Sequence, residues 1–239
     1  MNTSIAPIIA LLLCAGAQAD PGYYVVTPYP EGGVRSLDVR YWTVKFPRRP
    51  EVVWPELGVG YGFNDRWYSE VFASWIGSSQ MATRVSSWNW QNEIMLTQGE
   101  WPVDVALHLQ AIRNVGVGNT LEFGPVLQTD IGRTQLNFNA IFERSSVGGA
   151  LQPTQLKLQW QVRHRAWPGL HVGAQGFSEV GTWNDWSPAR LQSHRAGPAL
   201  FGNLAMGDGA TLHLQGAWVF GKVYGQRARM LTLRARTTF

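Results

Sequence analysis

From Ser36 onward the chain alternates apolar and polar residues in stretches of strand length, each followed by a turn signal. A β-strand sends successive side chains to opposite faces, so each stretch has an apolar and a polar face. The fifth stretch is the cleanest. Val103, Val105, Leu107, Leu109 and Ala111 alternate with Asp104, Ala106, His108 and Gln110. Twelve strands are predicted, at about 36–46, 57–63, 67–76, 85–97, 103–111, 120–130, 135–143, 156–163, 170–179, 194–203, 212–220 and 228–239. In the first, Leu37, Val39 and Tyr41 hand the apolar role to Trp42, Val44 and Phe46, which implies a bulge near Tyr41. In the second, Leu57, Val59, Tyr61 and Phe63 alternate with Gly58, Gly60 and Gly62. Period two, with no helix following, explains these glycines better than a nucleotide loop does. Asn92 interrupts the apolar face of the fourth strand.

The connections have a rhythm. Those after even strands are short: 64–66, 98–102, 131–133, 165–169 and 204–209, the last holding the strong hairpin signal Met206-Gly207-Asp208-Gly209. Those after odd strands are mostly longer: 47–56, 77–84, 113–119, 146–153 and 180–193, with 221–226 short. No helix-period segment of useful length appears. No run of ~18 apolar residues follows the N-terminus, so no helix is available to cross a membrane.

Alternation does not say which face is inside; composition does. Hydrophobic residues make up 45% and charged residues 15% of the 239, below the usual ~25% charged. The polar face is rich in Gln, Asn, Glu and Arg, and the apolar face is nearly free of charge at mid-strand. Tyr41, Trp54, Trp67, Tyr68, Trp88, Trp101, Trp160 and Trp167 gather near strand ends, as aromatic girdles do. The expected fold is all-β: a transmembrane antiparallel β-barrel of about twelve strands over 36–239, apolar face outward, with a polar lumen. Even strand number puts both barrel ends on the periplasmic side.

Residues 1–19 read as a signal peptide. Ile5 to Ala17 is apolar, and small residues in Ala17-Gln18-Ala19 precede Asp20, where cleavage is expected. The single cysteine, Cys14, lies within it and follows Leu13 rather than a small residue, which sets a lipoprotein aside. The mature chain then has no disulfide and no thiolate metal site. Residues 20–35 form an irregular lead-in, with Pro21 to Gly33 either periplasmic or tucked into the barrel mouth.

Two stretches resemble a known class. The last strand sets Leu231, Leu233, Ala235, Thr237 and Phe239 against Met230, Thr232, Arg234, Arg236 and Thr238. It resembles the terminal strand of bacterial outer-membrane β-barrels, which end on Phe and are recognised there by the barrel-assembly machinery. Thr237 departs from the apolar residue usual two before that end. Gly58 to Trp67 resembles a hairpin common in outer-membrane proteins, among them channels associated with phenol-degradation pathways. The resemblance implies a bacterial outer-membrane location, a transporter without a named solute, and Phe239 as the assembly signal.

The polar face names the expected lumen. Its bases are Arg40, Lys157, Arg163, Arg234 and Arg236, and its acids Glu70, Glu93, Asp104, Glu122, Asp130 and Glu143. Its neutral members include His108, Gln110, Gln128, Asn137, Asn139, Gln159, His171, Gln175, His213 and Gln215. Barrel closure sets Arg40 beside the two C-terminal arginines. A basic wall then faces an acidic one across a transverse field. Alternatively these charges pair and plug the bore: about eight strands enclose a filled interior, ~16 an open channel, and twelve fall between.

No catalytic residue is assigned. His171 and Ser178–Glu179 sit at opposite ends of the ninth strand, ~20 Å apart, and His-Glu-x-x-His is absent, so neither metal nor cofactor is expected. The expected function is a narrow passive channel for small polar or charged solutes. Two alternatives stay open: a barrel enzyme acting on outer-membrane lipid, and a structural or adhesive barrel with a blocked lumen. Expected partners are solutes, the assembly machinery and outer-membrane lipids, not nucleic acid. Lipopolysaccharide phosphates suit the outer bases Arg48, Arg49, Arg84, Arg113, Arg144, Arg190, Arg195 and Lys222.

Overall fold

The computed structural model describes residues 24–28 and 31–239. The expected signal peptide with Cys14, the expected cleavage junction Ala19–Asp20 and residues 20–23, 29 and 30 of the lead-in lie outside the described residues. Among the described residues there are twelve long strands and no helix: β1 (Arg35–Val44), β2 (Val52–Asn64), β3 (Trp67–Ser78), β4 (Met81–Met95), β5 (Asp104–Asn114), β6 (Gly118–Ile131), β7 (Thr134–Val147), β8 (Gln155–Trp167), β9 (Leu170–Thr182), β10 (Ser193–Gly207), β11 (Ala210–Val223) and β12 (Gln226–Thr238). Each pairs antiparallel with the one before it, and β12 pairs with β1, which closes the barrel. The two-residue pieces Ala150–Leu151 and Asp185–Trp186 extend the β7 and β9 edges into loops.

The faces divide as the alternation requires. On β5, Ala106, His108 and Gln110 are buried while Ala111 is exposed and Leu107 and Leu109 are partly so. Val59, Leu121, Leu200, Leu214 and Leu233 are also open on the outside. An apolar exterior around a polar interior inverts the soluble barrel and fits hydrocarbon, where closure leaves no unpaired strand edge.

Arg35 and Phe239 exchange backbone hydrogen bonds of 2.9 and 3.2 Å, so the start of β1 and the end of β12 lie at one end of the barrel, the terminal end. Tight turns at 65–66, 132–133, 168–169 and 208–209 share it. At the last, Asp208 and Gly209 both have positive φ, 49° and 79°, which suits a type I′ hairpin. The opposite, loop end carries 45–51, 148–154 and 183–192. The expected rhythm of connections holds only in part. Connections 79–80, 115–117 and 224–225 at the loop end are tight, and 96–103 at the terminal end is long. Ladder hydrogen bonds belong to the backbone, so strands run on through stretches such as Met81 to Arg84, where the alternation has faded.

No bulge occurs near Tyr41. The register of β1 is continuous against both neighbours. Leu37 and Val39 point out, whereas Trp42 and Val44 stay on the inner face and are buried. The inner face becomes apolar there, a patch within the otherwise polar lumen. Trp42 stacks on Trp54 at 4.0 Å, and both pack with Val44, Phe177, Phe201, Val219 and Met230. Asn92 has an explanation on the outside: its Oδ1 accepts the Trp67 indole N–H at 3.0 Å.

The outward apolar face sets a stability test. Val59 is 60% exposed near the middle of β2. Val59→Arg is expected to destabilise the barrel by about 2–4 kcal/mol at the bilayer midplane, read as lowered urea resistance in heat-modifiable gel mobility.

Candidate functional site: the barrel interior

The site begins at the closing seam. The β1–β12 register puts Arg40 opposite Arg234, and Asp38 opposite Arg236. Three guanidiniums on two paired strands require nearby anions. Asp38 Oδ2 accepts from Arg40 at 2.9 Å and from Arg234 at 2.5 Å. Arg40 also pairs with Glu70 and lies 3.7 Å from Glu56. Glu70 reaches Arg40 because β2 presents glycines on its inner face. A Cβ on Gly58 would meet a Glu70 carboxylate oxygen at 2.4 Å, and one on Gly60 the Tyr68 hydroxyl at 2.0 Å. The Gly-x-Gly-x-Gly stripe is therefore the space into which Tyr68 and Glu70 lean. Tyr68 donates to Glu70 at 2.9 Å, and its ring lies 4.5 Å under the Arg236 guanidinium.

The remaining inner charges pair away from the seam. Lys157 Nζ lies 2.5 Å from Glu143 and 3.3 Å from Glu122. His108 Nδ1 lies 2.5 Å from Glu93, Arg195 pairs with Glu179, and Arg163 stacks over Phe201 at 4.4 Å. The acidic wall facing a basic wall is thus corrected. Each base finds local carboxylates or an aromatic face, because separated like charges in a narrow, water-poor bore cost more than interleaved opposite ones.

Amides fill the space between. Gln175 accepts from Gln161 at 3.2 Å and Gln215 at 2.8 Å, and donates to Thr232 at 3.1 Å. Asn137 donates to Gln128 at 2.6 Å, and Gln110 to Asn89 at 3.3 Å. Residues 24–28 cross this space, whereas the sequence leaves the lead-in either periplasmic or in the barrel mouth. Tyr24 donates to Gln91 at 2.8 Å and accepts from Arg40 at 3.1 Å. Val26 N–H reaches Gln159 at 3.3 Å, and Asn139 reaches the Val26 carbonyl at 2.9 Å. Val25 packs on the apolar patch beside Phe177 and Phe201, and Val26 faces Met95, Ala106 and Val126. A water-wide bore would leave mid-height side chains accessible, yet Glu122, His108, Asn139 and Gln175 are 0% exposed. A gap of about 10 Å³ remains beside Tyr24 and Arg40, the space of about one water.

Most expected wall residues lie on this inner surface, but not all. Asp130 is exposed and Asp104 half-buried at the terminal rim. Asp104 accepts the Gly99 N–H at 2.6 Å, anchoring connection 96–103. In that connection the Glu100 carboxyl is held below the usual range, first by the Gln98 N–H and then by Arg66 at 2.8 Å. His213 is also near the rim, 3.0 Å from Asn203 and 3.3 Å from Thr238, with His171 partly buried at the same end. Phe239 is 62% exposed. Arg195, expected at the outer rim, is instead 3% exposed inside. Its place on the tenth strand was hidden by the weak alternation around Pro198. Asp38, Glu56, Tyr24 and Phe201 were missed. Asp38 was legible two residues before Arg40 on one face; Tyr24 carried no strand pattern.

Solved structures with this architecture are outer-membrane barrels. The COG4313 outer membrane channel from Pseudomonas putida F1 superposes with a TM-score of 0.63 at 13% identity, over 92% of this chain and 99% of that one. The NanC porin gives 0.57 at 12%, over 85% and 98%. The translocator domain of the autotransporter NalP from Neisseria meningitidis gives 0.53 at 10%, over 97% and 94%. The chain has the fold of outer-membrane β-barrels. No protein-family model matches the sequence, and no curated protein is similar to it. Channels and a translocator share the architecture, so the interior has to supply the functional argument.

The seam cluster yields a sharp expectation. Arg40→Gln leaves Asp38, Glu56 and Glu70 short of a partner and should cost about 3–5 kcal/mol. Arg163→Gln, which removes a cation stacked on Phe201, should cost ~2 kcal/mol or less. Urea unfolding of both variants, followed by heat-modifiable mobility, measures the difference.

Proposed function

We propose that the chain is an outer-membrane channel for small polar or charged solutes, closed in this conformation by residues 24–28 and its own ion pairs. The observation carrying this reading is the incomplete pairing of the inner wall. Gln110 Oε1, Asn139 Oδ1, Gln161 Oε1 and His108 Nε2 are buried with no protein hydrogen-bond partner. Leaving such an atom unsatisfied costs about 1–3 kcal/mol. A purely structural barrel gains nothing from carrying several; water and polar solutes satisfy them. The insert is also removable. Its described contacts to the wall are hydrogen bonds, small apolar contacts and the Arg40 and Arg234 guanidiniums over the Tyr24 ring at 4.2 and 4.9 Å, all of them non-covalent. The fold shared with the COG4313 channel and NanC supports the reading, as does the apolar exterior. Residues 1–19 as export signal and Phe239 as assembly signal belong to the same proposal.

Planar-bilayer recording tests it. The mature chain should show small, infrequent conductance steps. Tyr24→Ala combined with Val26→Ala should raise conductance or open probability by loosening the insert. A correctly folded double variant that never conducts would overturn the channel.

One observation favours a second reading, a lipid-directed esterase. On the outer wall, Ser178 Oγ lies 3.0 Å from His194 Nδ1, and His194 Nε2 lies 2.8 Å from Gln192 Oε1. Nucleophile, base and orienting group are in the order that acyl transfer needs. Against it, β9 is paired on both sides at Ser178, so backbone amides there are committed to ladders rather than to an oxyanion. This reading requires ester hydrolysis of phospholipid or lipid A that Ser178→Ala abolishes; the channel requires none.

A further inference from the structure

The structure assigns a lipid-binding trough to the outer wall of β4 to β7: we propose that it holds a phosphorylated lipid of the outer leaflet. The inference rests on the membrane location proposed above and is independent of conduction. Two rows of outward side chains cross these strands in register. The lower row runs Trp90, Ala111, Leu121, Arg144, and the upper row Trp88, Arg113, Asn119, Ser146. Ala111 is small between two large neighbours. Adjacent strands are ~4.8 Å apart, so Trp90 and Leu121 stand ~9.6 Å apart across it, room for one acyl chain. A groove of about 530 Å³ lies here, lined by Trp88, Trp90, Ala111, Leu121, Arg113 and Arg144 among others. Trp88 and Trp90 are each 54% exposed and Leu121 49%, so the apolar walls face lipid rather than protein.

The polar end of the groove has the matching chemistry. Arg113 is one residue from the end of β5, and Arg144 lies near the end of β7, both towards the loop end and both exposed. The two flank β6, one beside Asn119 and the other beside Leu121. Arg113 donates to Asn119 Oδ1 at 3.0 Å, which holds its guanidinium over that strand. Among the described residues neither guanidinium is in an ion pair with a carboxylate. Guanidinium binds phosphate through paired N–H donors and is more weakly hydrated than ammonium, which suits a membrane interface. One guanidinium above an acyl-wide trough and one beside it match an amphiphile with a phosphate on its head. Apolar contact alone does not explain cations at the mouth, and a solvated loop surface does not explain the trough.

The test uses purified, folded mature chain in detergent, with lipid A, chemically dephosphorylated lipid A and phosphatidylcholine as probes, read by native mass spectrometry. Lipid A should bind at least about tenfold more tightly than its dephosphorylated form, a 1.4 kcal/mol difference. Arg113→Gln with Arg144→Gln should remove that preference, and Ala111→Phe, which fills the trough, should weaken lipid A binding while the barrel keeps normal heat-modifiable mobility. Lysine at both arginine positions should restore part of the preference. Equal binding of phosphorylated and dephosphorylated lipid A would overturn the site, as would unchanged binding in the folded Gln and Phe variants. Conductance should be unaffected by all of these substitutions, so failure here is separable from failure of the channel.

Discussion

The pairing of β1 with β12 is the constraint on which the rest of this structure depends. An open sheet edge in hydrocarbon leaves unpaired backbone groups that nothing nearby can satisfy, each costing several kcal/mol, so the first strand has to meet the last. The register of that meeting sets Arg40 against Arg234 and Asp38 against Arg236. Closure therefore concentrates positive charge at one seam, and the seam is tolerable only because carboxylates converge on it. Asp38 is shared by two guanidiniums, and Glu56 and Glu70 arrive from β2 and β3. A buried network of this kind is weak evidence for added stability. It does make closure in any other register leave charges unpaired.

The glycines of β2 serve that same network. Removing side chains from one inner stripe lets the next strand lean across it, so Tyr68 and Glu70 sit where Gly58 and Gly60 leave room. Farther round the barrel the interior is organised differently. Amides on β4 to β9 and β11 form short hydrogen-bonded runs, and a patch from β9 to β1 is apolar. Residues 24–28 match this division: Val25 meets the apolar patch, while Tyr24 and the Val26 backbone meet polar groups. A segment complementary to both halves of the wall closes the bore without needing secondary structure of its own.

The outer wall has features of its own. Most of it is a uniform apolar band, as lipid contact demands. Between Trp90 and Leu121 it dips at Ala111, and two arginines adjoin the dip at the level where strands give way to loops. Inner and outer faces thus carry different chemistry on the same strands, because adjacent residues on a strand never share a face.

Period-two alternation by itself determined strand number, the division of faces and the antiparallel course, since side-chain direction in a strand is a local property of the backbone. It also located Arg40, Arg234, Glu70, Glu122 and Lys157 on the inner side. Pairing within the bore was decided by the tertiary structure. Whether Lys157 opposes or neighbours Glu122 and Glu143 depends on barrel diameter and strand stagger, which no single strand encodes. Arg195 moved inside because the register of β10 settled which way a Pro-interrupted strand faces. Tyr24 and Val26 were beyond sequence reasoning for a further reason. An irregular segment has no period, and its place is set by a cavity that exists only after twelve strands have closed around it.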